Sequence, residues 1–450
     1  FGSTELTSFE SARRMTAFAD VVASHALTAL LHAPELALAF AGAAGLRTAA
    51  QLAAVSQLHG LPVSEVLPRL GRQLLQVLLV GGEGPNGSPC ASASCLSLED
   101  GVWRPLPRAS VSRAGCAAAA LDGRLYVMGG DGSYFETLST VECFVPDKNG
   151  SPGQGIWMRL PPMQVPRVEC AAVALNGAIH VVGGNDGLGS FHDSTERFDP
   201  GVGRWQQLPP MRQARAGCAA GAIKGRMFVL GGQDEDKPAM STTEAYDPTT
   251  SRWGNGPPLL VGRCRSAAAA VATRLYAVGG QGSDDQLPLA SVECLDVSSE
   301  AHWVAVPSMG CPRWACSIVA VAGNLCVLGG FQGFGAHERP LASAELLEPD
   351  AMAWKPLPRL RAARGLAAAA VVSRTCLASA SSVSACASLA SLALPDSEAS
   401  RAEEEIAADT GTSGIELGED TEEEFNLAGE EGGLEEGEEE ERLDESCEHD

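Results

Sequence analysis

From about residue 73 the chain is written in short apolar runs separated by turn residues. After Trp103, Arg113-Ala-Gly-Cys-Ala-Ala-Ala-Ala-Leu predicts a first strand and Asp122-Gly123 a two-residue hairpin turn. Asp-Gly between two apolar runs is a strong hairpin signal, because both central positions of that turn need positive φ. Arg124-Leu-Tyr-Val-Met then predicts a second strand that stops at Gly129-Gly130. A variable loop leads to a third strand, Ser139-Thr-Val-Glu-Cys-Phe, and Trp157-Met-Arg-Leu makes a fourth, stopped by Pro161-Pro162. Later stretches repeat the order, with Asn176-Gly177, Lys224-Gly225 and Ala322-Gly323 at the same hairpin. Many short strands with turn signals at regular spacing predict an all-β array.

The array has a beat. Trp103, Trp157, Trp205, Trp253 and Trp303 each stand 26 residues before the first glycine of the next pair, at Gly129, Gly183, Gly231, Gly279 and Gly329. A period of about 50 residues with a Trp and a Gly-Gly in each copy is the signature of a propeller blade. Fourth strands occur at six tryptophans, counting Trp354. The last first strand, Gly365 to Val372, has no full blade after it, since Ala380-Ser381 stands where a Gly-Gly belongs. At the other end Gln76-Val-Leu-Leu-Val-Gly81-Gly82 is a second strand with no first strand ahead of it. Joining the two closes a ring of six blades and leaves no open sheet edge. The expected organisation is a helical region over 1–72, a propeller over 73–394 closed by strand 365–372, and a disordered acidic tail over 395–450. In the first of these, Phe18, Val21, Val22, Leu27, Leu30 and Leu31 recur at helical spacing.

The phrases Thr195-Glu196-Arg-Phe-Asp-Pro with Trp205-Gln-Gln-Leu-Pro-Pro-Met211, and Thr243-Glu244-Ala-Tyr-Asp-Pro with Trp253, resemble kelch repeats. The likeness runs from about residue 73 to 380 and implies a six-bladed kelch β-propeller. Leu46-Arg-Thr-Ala-Ala-Gln-Leu-Ala-Ala-Val-Ser56 resembles the last helix of an F-box, without that family's opening Leu-Pro. The competing reading is a helical collar packed on the propeller.

Charge narrows the partners. From Asp396 to Asp450 there are 24 acidic residues against Arg401 and Arg442, so this segment carries −22 of the net −24. The rest of the chain is nearly neutral and lacks the basic face that phosphates require. No nucleic-acid partner is expected. Glu422-Glu423-Glu424 and Glu438 to Glu441, set among glycines, have too little apolar company to fold. This tail reads as a solvating extension, or as a competitor of acidic ligands for an arginine-bearing face. The apolar stretch Ala23 to Gly45 is broken by His25, His32, Pro34 and Glu35, so no membrane span is expected. The cysteines follow the repeat: Cys116, Cys170, Cys218 and Cys316 each lie 13 residues after a Trp. They read as small strand residues in a reducing compartment, cytoplasmic or nuclear.

Two sets of residues carry the candidate chemistry. Ten residues after each Trp stands an arginine: Arg113, Arg167, Arg215, Arg263, Arg313 and Arg364. A residue kept in every copy serves the blade first, here by pairing with the repeated Glu142, Glu196, Glu244, Glu293 and Glu345. Direct binding of a partner's carboxylate is the alternative. The second set breaks the repeat: Tyr134, Phe135, Phe191, Phe331 and Phe334 in the loops after Gly-Gly, with Trp314 and Arg265 beside the first strands. Aromatic residues and Arg are the groups in which interface hot spots are enriched. In the kelch adaptors that recruit proteins for ubiquitination, ligand contacts come from this kind of face, and Arg265 stands where an adaptor's ligand arginine can stand.

The resemblance therefore implies a protein-interaction module, a substrate-recognition or adaptor subunit of a ubiquitin ligase. It would bind protein partners, an acidic peptide segment among them, and engage a ligase scaffold. A cytoskeletal or scaffolding binder is the second reading and a carbohydrate-active enzyme the third; fold alone decides none of them. No catalytic, metal or cofactor residues are expected. A copper radical oxidase needs Tyr and His ligands, yet Tyr126, Tyr276 and Tyr246 fall inside strands, and His180, His192, His302 and His337 fall at different repeat positions. No Gly-Gly carries the Lys-Ser/Thr that phosphate binding wants.

Overall fold

The structure, a computed structural model, describes residues 75–373 apart from 99, 148–152, 237, 284–286 and 300–301. The expected helical region 1–72 and the acidic tail 395–450 lie outside the described residues. By its internal contacts the chain divides into one unit over Phe1–Pro395 and a second over Asp396–Asp450.

Six four-stranded antiparallel sheets make six blades. Blade 2 is typical, running Ala117–Leu121, Arg124–Met128, Val141–Pro146 and Gly155–Leu160 from the inside outward. In blade 1 the inner place is taken by Ala368–Ser373, which pairs antiparallel with Leu75–Val80 and so joins the two ends of the propeller. No α-helix occurs among the described residues; the only helical turn is the 3-10 segment Gly335–His337. The first strands are shorter than the sequence predicts. In blade 2 the strand begins at Ala117 and not at Arg113, because Gly115 turns the chain with φ 62°.

The apolar pattern follows from burial on both faces. Along Leu75–Val80, Val77 and Leu79 pack against blade 6 with Val319 and Leu328, while Leu78 and Val80 pack against blade 2 with Leu125 and Val127. Side chains alternate across a strand, so a strand sandwiched between two blades needs apolar residues at every position. Six such clusters fill the six seams between blades.

Three hydrogen-bonded rings then tie blade to blade, and they explain the repeated residues. The outer ring is made by tryptophan. The indole N–H of Trp157 donates to Pro107 O, Trp205 to Pro161 O, Trp253 to Pro209 O, Trp303 to Pro257 O and Trp354 to Pro307 O. Trp103 closes the circle on Pro358 O, and the six distances span 2.7–3.1 Å. Each accepting proline stands four residues after the tryptophan of its own blade.

The middle ring joins Gly-Gly to arginine. The second glycine of each pair donates its N–H to the arginine carbonyl of the next blade, as Gly130 does to Arg167 O at 2.8 Å. The first glycine abuts the same carbonyl. A Cβ on Gly81, at φ +67°, would stand 2.6 Å from Arg113 O, so no other residue fits there.

The inner ring is backbone alone. The N–H of Gly115 donates to Leu366 O, Leu366 to Ala315 O, Ala315 to Arg265 O, Arg265 to Gly217 O, Gly217 to Glu169 O and Glu169 to Gly115 O, all at 2.6–3.0 Å. All six residues have φ between 48° and 62°. Four of them are not glycine, and the left-handed conformation costs such residues free energy. The closed ring of bonds holds them there.

Candidate functional site

The described cysteines are free, and Cys116 and Cys170 lie buried, which pushes their thiols up to about 12. Such groups are neutral and inert at physiological pH. Among the described residues no cluster of three or more His, Cys, Asp or Glu has the geometry to hold a metal ion.

The repeat arginines are built into the blades. Arg113, Arg167, Arg215, Arg263 and Arg313 have no exposed surface, and each meets the glutamate of its own third strand at 2.5–3.0 Å. In each, Nη1 also donates to the first glycine's carbonyl, as Arg113 does to Gly129 O at 2.8 Å. The glutamate in turn accepts backbone N–H groups from the loop ahead of the arginine, Glu142 from Ser110 and Val111 at 2.8 and 3.3 Å. A buried ion pair persists when its remaining lone pairs are satisfied in this way. Arg364 differs: it donates to Gly81 O at 3.0 Å but meets no glutamate among the described residues.

Arg265 stands on the inner ring, where its side chain is fixed from three sides. Its Nε donates to Glu169 Oε1 at 2.6 Å and its Nη1 to Gln281 Oε1 at 3.1 Å. Its guanidinium carbon lies 5.6 Å from the Trp314 ring centroid, within cation–π range. Trp314 stacks in turn on Phe331, with ring centroids 4.8 Å apart, and its indole donates to Gly333 O. Both rings are nearly buried, at 6% and 2% exposure, so they support Arg265 from below. The Nη2 of Arg265 has no partner among the described residues, and Glu169 Oε2 likewise accepts nothing. The ion pair thus keeps one unused donor on Arg265 and one unused acceptor, a buried one, on Glu169.

The loop aromatics divide. Tyr134 and Phe135 are 90% and 67% exposed, Phe334 is 49% exposed, and Phe191 is half-buried. Phe135 is also held at φ 59°, where its own loop turns. It lines a cavity of about 50 Å³ with Glu83, Asp131, Glu169 and Leu366. Burial pushes the Asp131 and Glu83 carboxyls above their usual range, with Glu169 and Glu338 respectively adding repulsion. The mouth of the propeller therefore gathers carboxylates around one fixed guanidinium.

The sequence left Glu169, Gln281 and Asp131 unmarked. Their signal was present: Glu169 and Arg265 both stand 12 residues after a Trp, where Gly115 and Gly217 stand in the neighbouring blades. Opposite charges in one repeat column point to a pair across the ring.

A ring of six such blades, sealed at its seams by Trp–Pro, Gly–Arg and backbone bonds, is a repeat propeller of the interaction-module class. The kelch motif matches residues 112–164, 166–212, 214–260 and 262–310, so the propeller is built of kelch repeats. Human Kelch-like protein 23 is 25% identical over 147 residues, covering 31% of this chain and 24% of that protein. Influenza virus NS1A-binding protein homolog B of Danio rerio is 34% identical over 124 residues, 26% of this chain and 18% of that protein. An F-box/kelch-repeat protein of Arabidopsis thaliana is 34% identical over 101 residues, 22% of this chain and 25% of that protein. The chain thus spans about a quarter or less of the length of the curated relatives it matches.

Proposed function

We propose that the propeller is a protein-interaction module whose partner docks at the mouth around Arg265. The observation that carries this is the fixed guanidinium of Arg265, seated on Trp314 with Nη2 unclaimed and Glu169 Oε2 beside it. Preorganised polar groups ringed by exposed aromatics bind at low entropic cost. Tyr134, Phe135 and Phe334 supply that rim.

The unclaimed Nη2 favours a partner side chain that brings an acceptor. A wholly acidic peptide meets Glu83, Asp131 and Glu338 at the same mouth, so its attraction to Arg265 is offset. Substrate recognition for a ubiquitin ligase is the use we infer, resting on the likeness to kelch adaptors. A scaffold without a ligase is the alternative.

Affinity purification tests both parts. The wild-type chain is compared with Arg265→Ala and, separately, Tyr134→Ala, each first checked for an unaltered circular-dichroism spectrum. One protein lost from both variants is the expected result. An identical catch from all three removes the face assignment, and a catch without ligase subunits removes the adaptor reading.

A further inference from the structure

Five blades hold a carboxylate between their arginine and the loop ahead of it; the closing blade does not. In blades 2 to 6 the glutamate takes the arginine's Nη2 and the N–H of the residue three places before that arginine, at 2.7–2.8 Å for Ser110, Gln164, Arg212, Leu260 and Gly310. In blade 1 the register puts Ser94 in that place. Ser94 faces Leu79 and Pro105 as Glu142 faces Val127 and Arg159. The arginine's Nη1 bonds to backbone are kept. Arg364 Nη1 donates to Gly81 O at 3.0 Å and to Ser92 O at 3.4 Å, matching the bonds of Arg113 to Gly129 O and Thr140 O.

The donors that would hold the missing carboxylate are left over. Ser92 Oγ bonds with Cys90 Sγ at 3.2 Å, and Arg364 Nη2 has no partner among the described residues. Neither do the N–H groups of Arg361 and Ala362, which stand where Ser110 and Val111 stand in blade 2. Arg364 is 8% exposed where its five counterparts are 0% exposed, so the place opens to solvent. A guanidinium more than nine-tenths buried and short of a counter-charge is costly.

We propose that the closing blade is a carboxylate-binding site, formed by Arg364 Nη2 and the backbone N–H groups of Arg361 and Ala362 above Ser94. The same donors close around a planar carboxylate in the sister blades, which sets the ligand class. The ligand is then a carboxylate side chain brought by a partner protein. The site concerns Arg364 and not Arg265, so it stands or falls apart from the partner-binding reading.

The test is the thermal midpoint of the full chain in sodium acetate against sodium chloride at equal ionic strength and neutral pH. Three proteins are compared: wild type, Ser94→Glu and Arg364→Gln. Acetate is expected to raise the wild-type midpoint by about 2 °C or more, as ligand linkage at a weak site gives. Ser94→Glu, which carries its own carboxylate, and Arg364→Gln then show no acetate response. The proposal is overturned if acetate acts alike on wild type and Arg364→Gln, or if it leaves the wild-type midpoint unchanged.

Discussion

Glu169 and Arg265 stand 96 residues apart, and their side chains meet at 2.6 Å across Gly217. All three occupy one column of the repeat, so the pair spans two blades and the glycine lies beneath it. A Cβ on Gly217 would stand 3.1 Å from Arg265 Cγ and 3.5 Å from Glu169 Oε2, at a backbone φ of +59°. The glycine thus serves both the turn of the inner ring and the passage of the ion pair.

Gly217→Ala is therefore expected to cost about 1–2 kcal/mol, the order of a non-glycine residue forced into the left-handed region. It also displaces Arg265, so partner affinity falls although no contact residue has changed. Urea unfolding with a binding assay checks this, and a variant of wild-type stability contradicts it.

Breaking one buried pair separates charge from packing. Arg167 and Glu196 are fully buried and 3.0 Å apart. Glu196→Leu leaves Arg167 uncompensated and also strips acceptors from the N–H groups of Gln164 and Val165. The expected loss is about 3–5 kcal/mol. Arg167→Met with Glu196→Leu is expected to recover part of it, because no lone charge then remains buried; a double variant as unstable as the single one would falsify this account.

How much of this was legible depended on whether the repeat carried it. Trp, Gly-Gly and the hairpin dipeptides recur because every seam needs the same bonds, so the ring of six could be counted from one chain. The same regularity made the five arginine–glutamate pairs visible as two columns 29 to 32 residues apart. Glu169 was hidden for the opposite reason. Its partner comes from another blade, and no local pattern states which blades face each other across the axis. The depth of Trp314 and Phe331 was hidden too, since an aromatic after a Gly-Gly reads as a loop residue until its stacking partner is placed. Ser94 is a deviation within a column, readable only once the register of blade 1 is known.

The indole ring predicts graded losses. Trp205→Phe removes the 2.8 Å bond to Pro161 O in a half-buried seam and is expected to cost about 1 kcal/mol beyond the lost ring area. Trp354→Phe breaks an equivalent bond that is exposed, where water can replace the indole, and is expected to cost less. Differential scanning calorimetry of both variants orders them. A larger loss at Trp354 would show that the outer ring is not held by desolvated hydrogen bonds.

Gly365→Ala reaches Arg265 through the stack. Gly365 sits against the ring of Phe331, and a Cβ there would collide with that ring's edge. Phe331 must move, which withdraws support from Trp314 and through it from Arg265. The expected signature is a changed tryptophan fluorescence maximum together with weaker partner binding. Unchanged fluorescence means that Phe331 yields without disturbing Trp314.

Acid sensitivity has a named source in His180. It lies in the strand Ala178–Val182, 3% exposed, between Val173 and Arg197 on the flanking strands. Burial first, and the Arg197 guanidinium second, push its pKa down from 6.5 to about 4. The folded chain therefore keeps the imidazole neutral where the unfolded chain takes up a proton, between pH 6.5 and pH 4. Unfolding is favoured wherever the unfolded state binds more protons, so this contribution is complete above pH 6.5 and is lost as pH falls toward 4. The full shift corresponds to about 3 kcal/mol. Asp131 and Glu83 act with the opposite sign, because their raised pKa values let the folded state take up protons first as pH falls. Their effect opposes that of His180 wherever they titrate, so replacement of the histidine is what isolates its share. Urea midpoints at pH 7 and pH 5 are expected to fall together with pH in the wild type and to differ less in His180→Leu. Equal losses in the two proteins would move the acid sensitivity to another group, with His192, whose pKa is also lowered by burial, next to be replaced.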